Sequence, residues 1–291
     1  MSALRYVLIS VVRDEEAYIE ETLRSVLSQS VLPAAWLLRD DGSLDRTPEL
    51  VLAAAKDNPW IRVSRVERRT DRDSGSATSR GFNSLLPEAR SLNPDVVAML
   101  DGDVRFESEY FERLLAALQT EPRLGVVGGR ALEPHRDGSW GLVRIPGYHV
   151  HGATKVYRLA CLDDIGPLHL GPGWDTVDII RARLSGWTTR SLPDVRFRHL
   201  RVTGRASGRL PNLRVKGRAA YEIGYLPLFA MIRSVRNMVR SPYVVGGLAF
   251  LFGYIDAWMR RRPHILSPGE VAAFRREQMR ALLGRRSWWR G

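Results

Sequence analysis

The run Val96-Val97-Ala98-Met99-Leu100-Asp101-Gly102-Asp103 constrains this chain more than any other stretch. Five apolar residues in succession read as a buried strand, too short for a helix that stands alone. The strand ends in two carboxylates at i and i+2 with a glycine between them. On an ideal strand those side chains share one face, and a glycine at the strand end lets the backbone turn. The carboxyl edge of a buried strand is where open α/β sheets bind ligands. Two carboxylates there make a hard-oxygen site for Mg²⁺ or Mn²⁺, completed by phosphate oxygens and water. Asp-Gly-Asp is also ordinary turn chemistry, so the neighbouring segments decide.

Those segments repeat the pattern. Residues 6–12 form a β-rich apolar run followed by Arg13-Asp14-Glu15-Glu16. Asp14 can cap a helix whose apolar positions Ile19, Leu23, Val26 and Leu27 fall at helical spacing. After Pro33, Trp36-Leu37-Leu38 begins a second strand that ends in Arg39-Asp40-Asp41-Gly42-Ser43-Leu44-Asp45-Arg46-Thr47. Thr47 and Pro48 start the next helix as a cap followed by proline at the first position. A third strand is expected over 60–66, a polar loop holding Gly75 over 67–79, and a short helix over 81–90. Strand and helix alternate throughout, which predicts a mostly parallel sheet with helices on its faces. Three acidic clusters (Asp14-Glu15, Asp40-Asp41, Asp101 with Asp103) follow three apolar strands. Their equivalent positions predict a single crevice that holds a nucleotide and a metal.

In this order, five elements resemble glycosyltransferase family 2 of the GT-A fold: Val12-Arg13-Asp14-Glu15-Glu16, Leu23-x-Ser25-Val26-x-x-Gln29, Asp40-Asp41-Gly42-Ser43-x-Asp45-x-Thr47, residues 75–80, and Asp101-Gly102-Asp103. The second acidic element is the most specific of them. The resemblance implies an α/β fold, Rossmann-like, with a mostly parallel sheet flanked by helices. It implies that Asp41, with Asp40, contacts the nucleobase and ribose of a nucleotide-sugar donor. Val12, Asp14 and Arg80 belong to the same donor pocket, and Asp101 and Asp103 form the metal-and-ribose motif. The chain departs from the family in one place: the usual Ala-Arg-Asn is here Ser79-Arg80-Gly81. The implied chemistry is coherent, because a departing diphosphate needs its charge neutralised by Mg²⁺ or Mn²⁺. An acceptor hydroxyl in turn needs a base across the sugar.

The second half supplies further candidates. Gly125-Val126-Val127-Gly128-Gly129 reads as a strand loosened by glycine, open to close approach of a ligand. Residues 152–158 lead into a short helix ending near Asp163-Asp164-Ile165-Gly166. In Gly173-Trp174-Asp175-Thr176-Val177-Asp178, Asp175 and Asp178 share one face at a helix start. They either face an acceptor or simply favour the helix's positive end. The family places its catalytic base in an acidic pair before such a helix, so Asp175 is the expected base. Asp178 is then expected on the acceptor side, with Trp174 stacked on a sugar ring. The family also carries a histidine at a similar distance beyond this helix, which makes His199 a third metal ligand beside Asp101 and Asp103. No Gln-x-x-Arg-Trp sequence occurs, so transfer of a single sugar is expected.

Composition enters through its distribution. The 291 residues, 44% hydrophobic, suffice for one large domain or two small ones. The single cysteine, Cys161, excludes an internal disulfide and fits a reducing compartment. The amino terminus enters a strand at once, without a secretory leader, so a cytoplasmic location is expected. Residues 1–200 hold 26 Lys+Arg and 28 Asp+Glu, a balance of −2, whereas 201–291 hold 18 and 4, a balance of +14. The family resemblance, whose motifs cover about the first 105 residues, implies a catalytic unit over 1–200, with a nucleotide half to about 105 and an acceptor half over 106–200. The basic surplus of the last third suggests an anionic partner there. A basic loop and an amphipathic helical tail then fill 201–291. Two apolar runs, 221–232 and 243–258, are flanked by Arg233, Arg236, Arg240 and Arg260-Arg261-Arg262. Neither reaches the roughly 20 residues of a membrane span. The tail is either a helical hairpin packed on the catalytic unit or an interfacial platform on an anionic membrane. The second reading suits a lipid-linked or glycan acceptor at the cytoplasmic side of the inner membrane. A nucleic-acid binder would also concentrate arginine and aromatic residues, but it leaves the ordered acidic motifs unexplained and is not expected. A catalytically inactive relative is disfavoured by the intact Asp101, Asp103 and Asp175.

Overall fold

The computed structural model of the protein describes residues 4–68, 76–135, 137–201, 208–239 and 242–290. Gly75, residues 202–207 of the basic loop and Arg240 lie outside them. The first hundred residues alternate as expected: β1 (Tyr6–Val12), α1 (Ile19–Leu27), β2 (Ala35–Asp40), α2 (Thr47–Asp57), β3 (Ile61–Arg65), α3 (Ser76–Ser91) and β4 (Val96–Leu100). Then follow β5 (Val104–Phe106), α4 (Tyr110–Thr120), β6 (Leu124–Pro134), β7 (Trp140–Leu142), β8 (Thr154–Arg158), α5 (Leu159–Ile165), α6 (Trp174–Leu184) and β9 (Thr188–His199). Four helices complete the chain: α7 (Arg209–Ile223), α8 (Pro227–Met238), α9 (Val244–Met259) and α10 (Pro268–Leu282), with a 3-10 turn at Trp288–Arg290.

One sheet runs in the order β3-β2-β1-β4-β8-β6-β9-β5, with β7 on β6. The first four of these strands are parallel. Beyond them β8 is antiparallel to both β4 and β6, β9 is parallel to β6, and β5 is antiparallel to β9. In β1, Tyr6 and Leu8 face one core cluster while Val7 and Ile9 face the other. That two-sided burial is why the strand reads as continuously apolar. The same two-sided pattern holds for Val96 and Ala98 against Val97 and Met99 in β4.

Two local expectations are corrected, and a third gains a further reason. Asp14 does not cap α1: Tyr18 precedes the helix, and Asp14 sits at φ 54° with its side chain on other partners. Gly102 stands in the turn after β4, as expected, without a left-handed backbone. It is required by packing, since a Cβ there would lie 2.8 Å from Val12 Cγ1 and 3.3 Å from Glu15 Cγ. The glycines of β6 admit no ligand. The space beside Gly125 is filled by Cys161 and Trp187, beside Gly128 by Val150 and the Thr154 carbonyl, and beside Gly129 by Tyr110.

The carboxy-terminal helices share the core of the sheet. Ala220, Ile223, Tyr225, Phe250, Phe274 and Trp289 are buried in the same cluster as Val7, Ile9 and Phe82. Trp289 packs on Tyr148 with ring centroids 5.1 Å apart. Helices α7 and α9 touch backbone to backbone, because Gly217 and Gly253 lack side chains at the crossing. Helix α10 begins with a capping box between Ser267 and Glu270, with proline in its first turn.

Candidate active site

The acidic motif after β2 is first a device for holding the loop after β1. Asp14 N donates to Ser43 Oγ (2.9 Å), Glu15 N to Thr47 Oγ1 (2.8 Å) and Glu16 N to Asp45 Oδ2 (3.0 Å). Asp40 Oδ1 accepts from Ser43 N at 3.0 Å and from its hydroxyl at 2.5 Å, and Arg65 Nε stands 3.1 Å from the other oxygen. Gly42, at φ +77°, has no room for a Cβ, which would meet the Arg68 backbone at 2.5 Å. Asp14 receives both Arg68 guanidinium nitrogens, at 3.0 and 2.8 Å. That hydrogen bond keeps the Asp14 carboxyl below the usual carboxylate range. Asp41 N bonds Val12 O (2.9 Å), so both residues stand where the carboxyl ends of β1 and β2 meet. Asp41 is only 4% exposed, with Arg39 Nη2 at 3.6 Å. Arg80 lies half-buried on α3. That helix can approach β1 because Gly81 abuts Val11, leaving 2.4 Å where a Cβ would go. The departure Ser79-Arg80-Gly81 therefore has a packing reason in this chain.

The three residues expected to bind metal come together. Thr22 Oγ1 anchors β5 to α1 by bonding both the N–H (3.0 Å) and the carbonyl (2.8 Å) of Val104. The β5–β9 register pairs Val104 with His199, which puts the imidazole beside Asp103. His199 Nε2 lies 3.2 Å from Asp103 Oδ1, and its Nδ1 lies 3.6 Å from Glu133 Oε1 on β6. Donor atoms of Asp101, Asp103 and His199 lie within 4.8 Å of one another. Arg201 Nε bonds Asp103 Oδ2 (3.1 Å), and its other end pairs with Glu15. Burial, and then the charge of Asp103, push Glu15 up to about 7, and the same two causes raise Asp101. Burial also opposes the charge on Asp103, but the bond and charge of His199 and the charge of Arg201 hold that carboxyl low. His199 loses some basicity to burial, yet its contacts with Asp103 and Glu133 take it up to about 10. Two carboxylates and an imidazole, with the buried Glu15 Oε2 left without a hydrogen-bond partner, are a donor set that fits Mg²⁺ or Mn²⁺.

Helix α6 starts after Gly173, whose φ of 87° turns the chain into the helix. The Asp175 side chain keeps 37% exposure, and His149 Nε2 stands 3.7 Å from it. Burial acts to raise the Asp175 carboxyl, but His149, Lys155 and His151 outweigh it and hold the group well below the usual range. Asp178 has a different position. Its carboxylate takes Lys155 Nζ at 2.7 and 2.9 Å and the Tyr157 hydroxyl at 2.6 Å, and the residue is 3% exposed. No face of it is turned to an acceptor. Trp174 likewise packs in the core against Gly152, with Lys155 Nζ 5.2 Å from its ring centre. The sugar-stacking expectation for Trp174 is corrected accordingly. Lys155, His149, Glu133 and Arg201 were not anticipated. Their places follow from strand pairing, which no local spacing in the sequence announces.

A sheet with acidic motifs at the carboxyl ends of β1, β2 and β4, continued by antiparallel strands and flanked by helices, is the GT-A glycosyltransferase fold. Residues 7–167 match glycosyl transferase family 2, and the chain belongs to that family. No curated protein sequence matches it significantly. Among solved structures it is similar to the mannosyltransferase PcManGT from Pyrobaculum calidifontis in complex with GDP-Man and Mn²⁺. That match has 17% identity, covers 97% of this chain and 81% of that one, and has a TM-score of 0.58. It is also similar to residues 1–349 of S. aureus TarS in complex with UDP-GlcNAc (16% identity, 88% and 73% covered, TM-score 0.56). A third likeness is to GalNAc-T7 with UDP, GalNAc and Mn²⁺ (16% identity, 82% and 52% covered, TM-score 0.59).

Proposed function

We propose that this glycosyltransferase is inverting and metal-dependent, and moves one sugar from a nucleotide-sugar donor to a hydroxyl of a lipid-linked or glycan acceptor. The donor nucleotide is UDP or dTDP. Residues to about 105 form the donor half, 106–200 the acceptor half, and 201–291 the membrane-side tail. The reading rests above all on the convergence of Asp101, Asp103 and His199 beside the loops after β1 and β2. Val12, Asp14, Asp41, Asp40 and Arg80 line the donor side. Asp101, Asp103 and His199 hold Mg²⁺ or Mn²⁺, which when bound neutralises the departing diphosphate as a Lewis acid. Arg201, already paired with Asp103, adds a second positive charge there. Asp175 accepts the proton of the acceptor hydroxyl. Because its carboxyl is held low, it is a weak base, ionised at neutral pH. It takes the proton only as the new bond to the anomeric carbon makes that hydroxyl acidic.

Solved relatives of the same fold carry GDP-Man or UDP-GlcNAc, so the base is best decided by ligand screening. With Mn²⁺ present, UDP-, dTDP- and GDP-sugars are compared by thermal shift. A true donor at about 100 times its Kd stabilises the fold by roughly 2.7 kcal/mol. A set of donors none of which moves Tm would contradict the reading. The expected location is the cytoplasmic side of the inner membrane, on an anionic lipid surface. No helix among the described residues is long and apolar enough to cross a bilayer.

A further inference from the structure

Helices α8 and α9 form a pair with two unlike sides. On the inner side, Ser234 Oγ of α8 bonds the Gly247 carbonyl of α9 at 2.9 Å. Ala230, Phe250 and Ala257 are fully buried there. Away from this contact, α8 leaves Leu228, Met231 and Val235 exposed at spacings of three and four, and Val239 continues the row. Helix α9 leaves Val245, Leu248, Phe252, Ile255 and Met259 exposed along one row in the same way. Each of these side chains is between 39% and 75% exposed. A contiguous apolar face of this extent is uncommon on a soluble monomer and marks an interaction surface.

Charge selects the occupant. Residues 227–262 hold six arginines and one acid, Asp256, a balance of 6 − 1 = +5. That acid is already paired with Arg260 at 2.9 Å. Arg236 and Arg261 are exposed, and Arg260 keeps 66% side-chain exposure. A second copy laid on this face would bring +5 against +5, an isologous contact that repels itself. A nucleic acid would match the charge, but the rows are mostly Val, Leu, Ile and Met, with Phe252 the one aromatic ring among them, and offer no series of rings for successive bases to stack on. An anionic lipid bilayer matches both properties: arginines meet headgroups while Val, Leu, Met and Phe side chains enter the boundary below them.

We propose that the outer side of the α8–α9 pair is a membrane-docking face for anionic phospholipid, lying in the interface without spanning it. This deepens the membrane part of the reading above and does not depend on the catalytic part. Its test therefore uses full-length protein, no donor and no turnover. The protein is floated with phosphatidylglycerol-containing vesicles and with neutral phosphatidylcholine vesicles, at low and high salt. It is expected to float with the anionic vesicles and to be released only partly by salt, because apolar insertion is not screened. Val235→Glu and Phe252→Glu each replace an exposed side chain, so their thermal melts should match the parent's. Losing the burial of one such side chain should weaken partitioning by about 10–100-fold. A measurement on the unaltered protein guards against a variant that misfolds: brominated lipid should quench Trp258, which is 62% exposed at the end of α9. Three results would overturn the proposal. One is protein that ignores both vesicles, and another is binding that salt abolishes completely without quenching. The third is a dimer that Val235→Glu converts to monomer.

Discussion

The Lys155 ammonium is fully buried on β8, and two aspartates of α6 lie against it. Asp175 offers only its backbone carbonyl, at 2.8 Å, and its carboxylate stays in the crevice. Asp178 gives Lys155 both carboxylate oxygens. Breaking a buried ion pair by removing one partner leaves an uncompensated charge and costs about 3–5 kcal/mol. Asp178→Asn should therefore lower urea-unfolding stability by that order, while Asp175→Asn leaves it nearly unchanged. Asp175→Asn should instead slow transfer by about 10²–10⁴, the usual contribution of a general base, with donor affinity retained. Wild-type rates from that variant would remove Asp175 from the chemistry. The pH dependence follows in sign. A carboxyl held low stays ionised from neutral pH down to strong acid, so Asp175 sets no fall in kcat between pH 5 and 7. In His149→Ala the carboxyl loses the imidazole that stands 3.7 Å from it and helps to hold it low. Its acid limb should then move upward in the kcat profile, and an unmoved limb would deny the His149 contact any influence.

Elements place these side chains through register. His199 reaches Asp103 because β5 pairs with β9, and Glu133 reaches His199 because β6 pairs with β9 one residue earlier, at Leu132 and Arg198. The crossing of α7 and α9 is a second such device. A Cβ on Gly253 would lie 2.0 Å from the Arg214 carbonyl oxygen. Alanine would gain about 1 kcal/mol of helix propensity, but two rigid backbones would have to part. We expect Gly253→Ala to lower stability by about 1–3 kcal/mol. Gly147→Ala, in open space, should be near neutral by the same melts. A stabilised Gly253→Ala would show that the helices are not in backbone contact. Much of this architecture was legible in the residues. The apolar runs ending at Val12, Asp40 and Leu100 marked the parallel strands, and the acidic clusters marked their carboxyl edge. Legibility stopped where side-chain direction depends on distant pairing. Trp174 and Asp178 are expected on the acceptor side from the family's acidic pair before this helix, yet the turn at Gly173 and the buried Lys155 direct them inward. Lys155 itself sits in a strand buried along most of its length, where nothing local reveals that its partner lies 23 residues away.

At the scale of the whole molecule, the charge division at about residue 200 is not a division of the core. Tyr148, next to His149, is covered by Trp289 from the far end of the chain. The packed hairpin expected as one alternative is the inner side of these helices, and the interfacial platform is what we propose for their exposed outer side. Cutting the chain after Gly217 would remove Phe274 and Trp289 and uncover Gly173, Tyr148 and the sheet side of the cluster they share. We expect the truncated protein to show no cooperative thermal transition, and a sharp melt at the parental Tm would contradict the shared core. The most direct test of the glycosyltransferase reading is release of nucleoside diphosphate from the donor that the thermal-shift screen identifies, with Mn²⁺ and then with EDTA. Asp103→Asn is measured beside the parent. The account predicts release that needs Mn²⁺ in the parent and falls to background in Asp103→Asn, because the diphosphate's charge then loses its counter-ion. Release at the parental rate from EDTA-treated protein, or from Asp103→Asn with Mn²⁺, would contradict it.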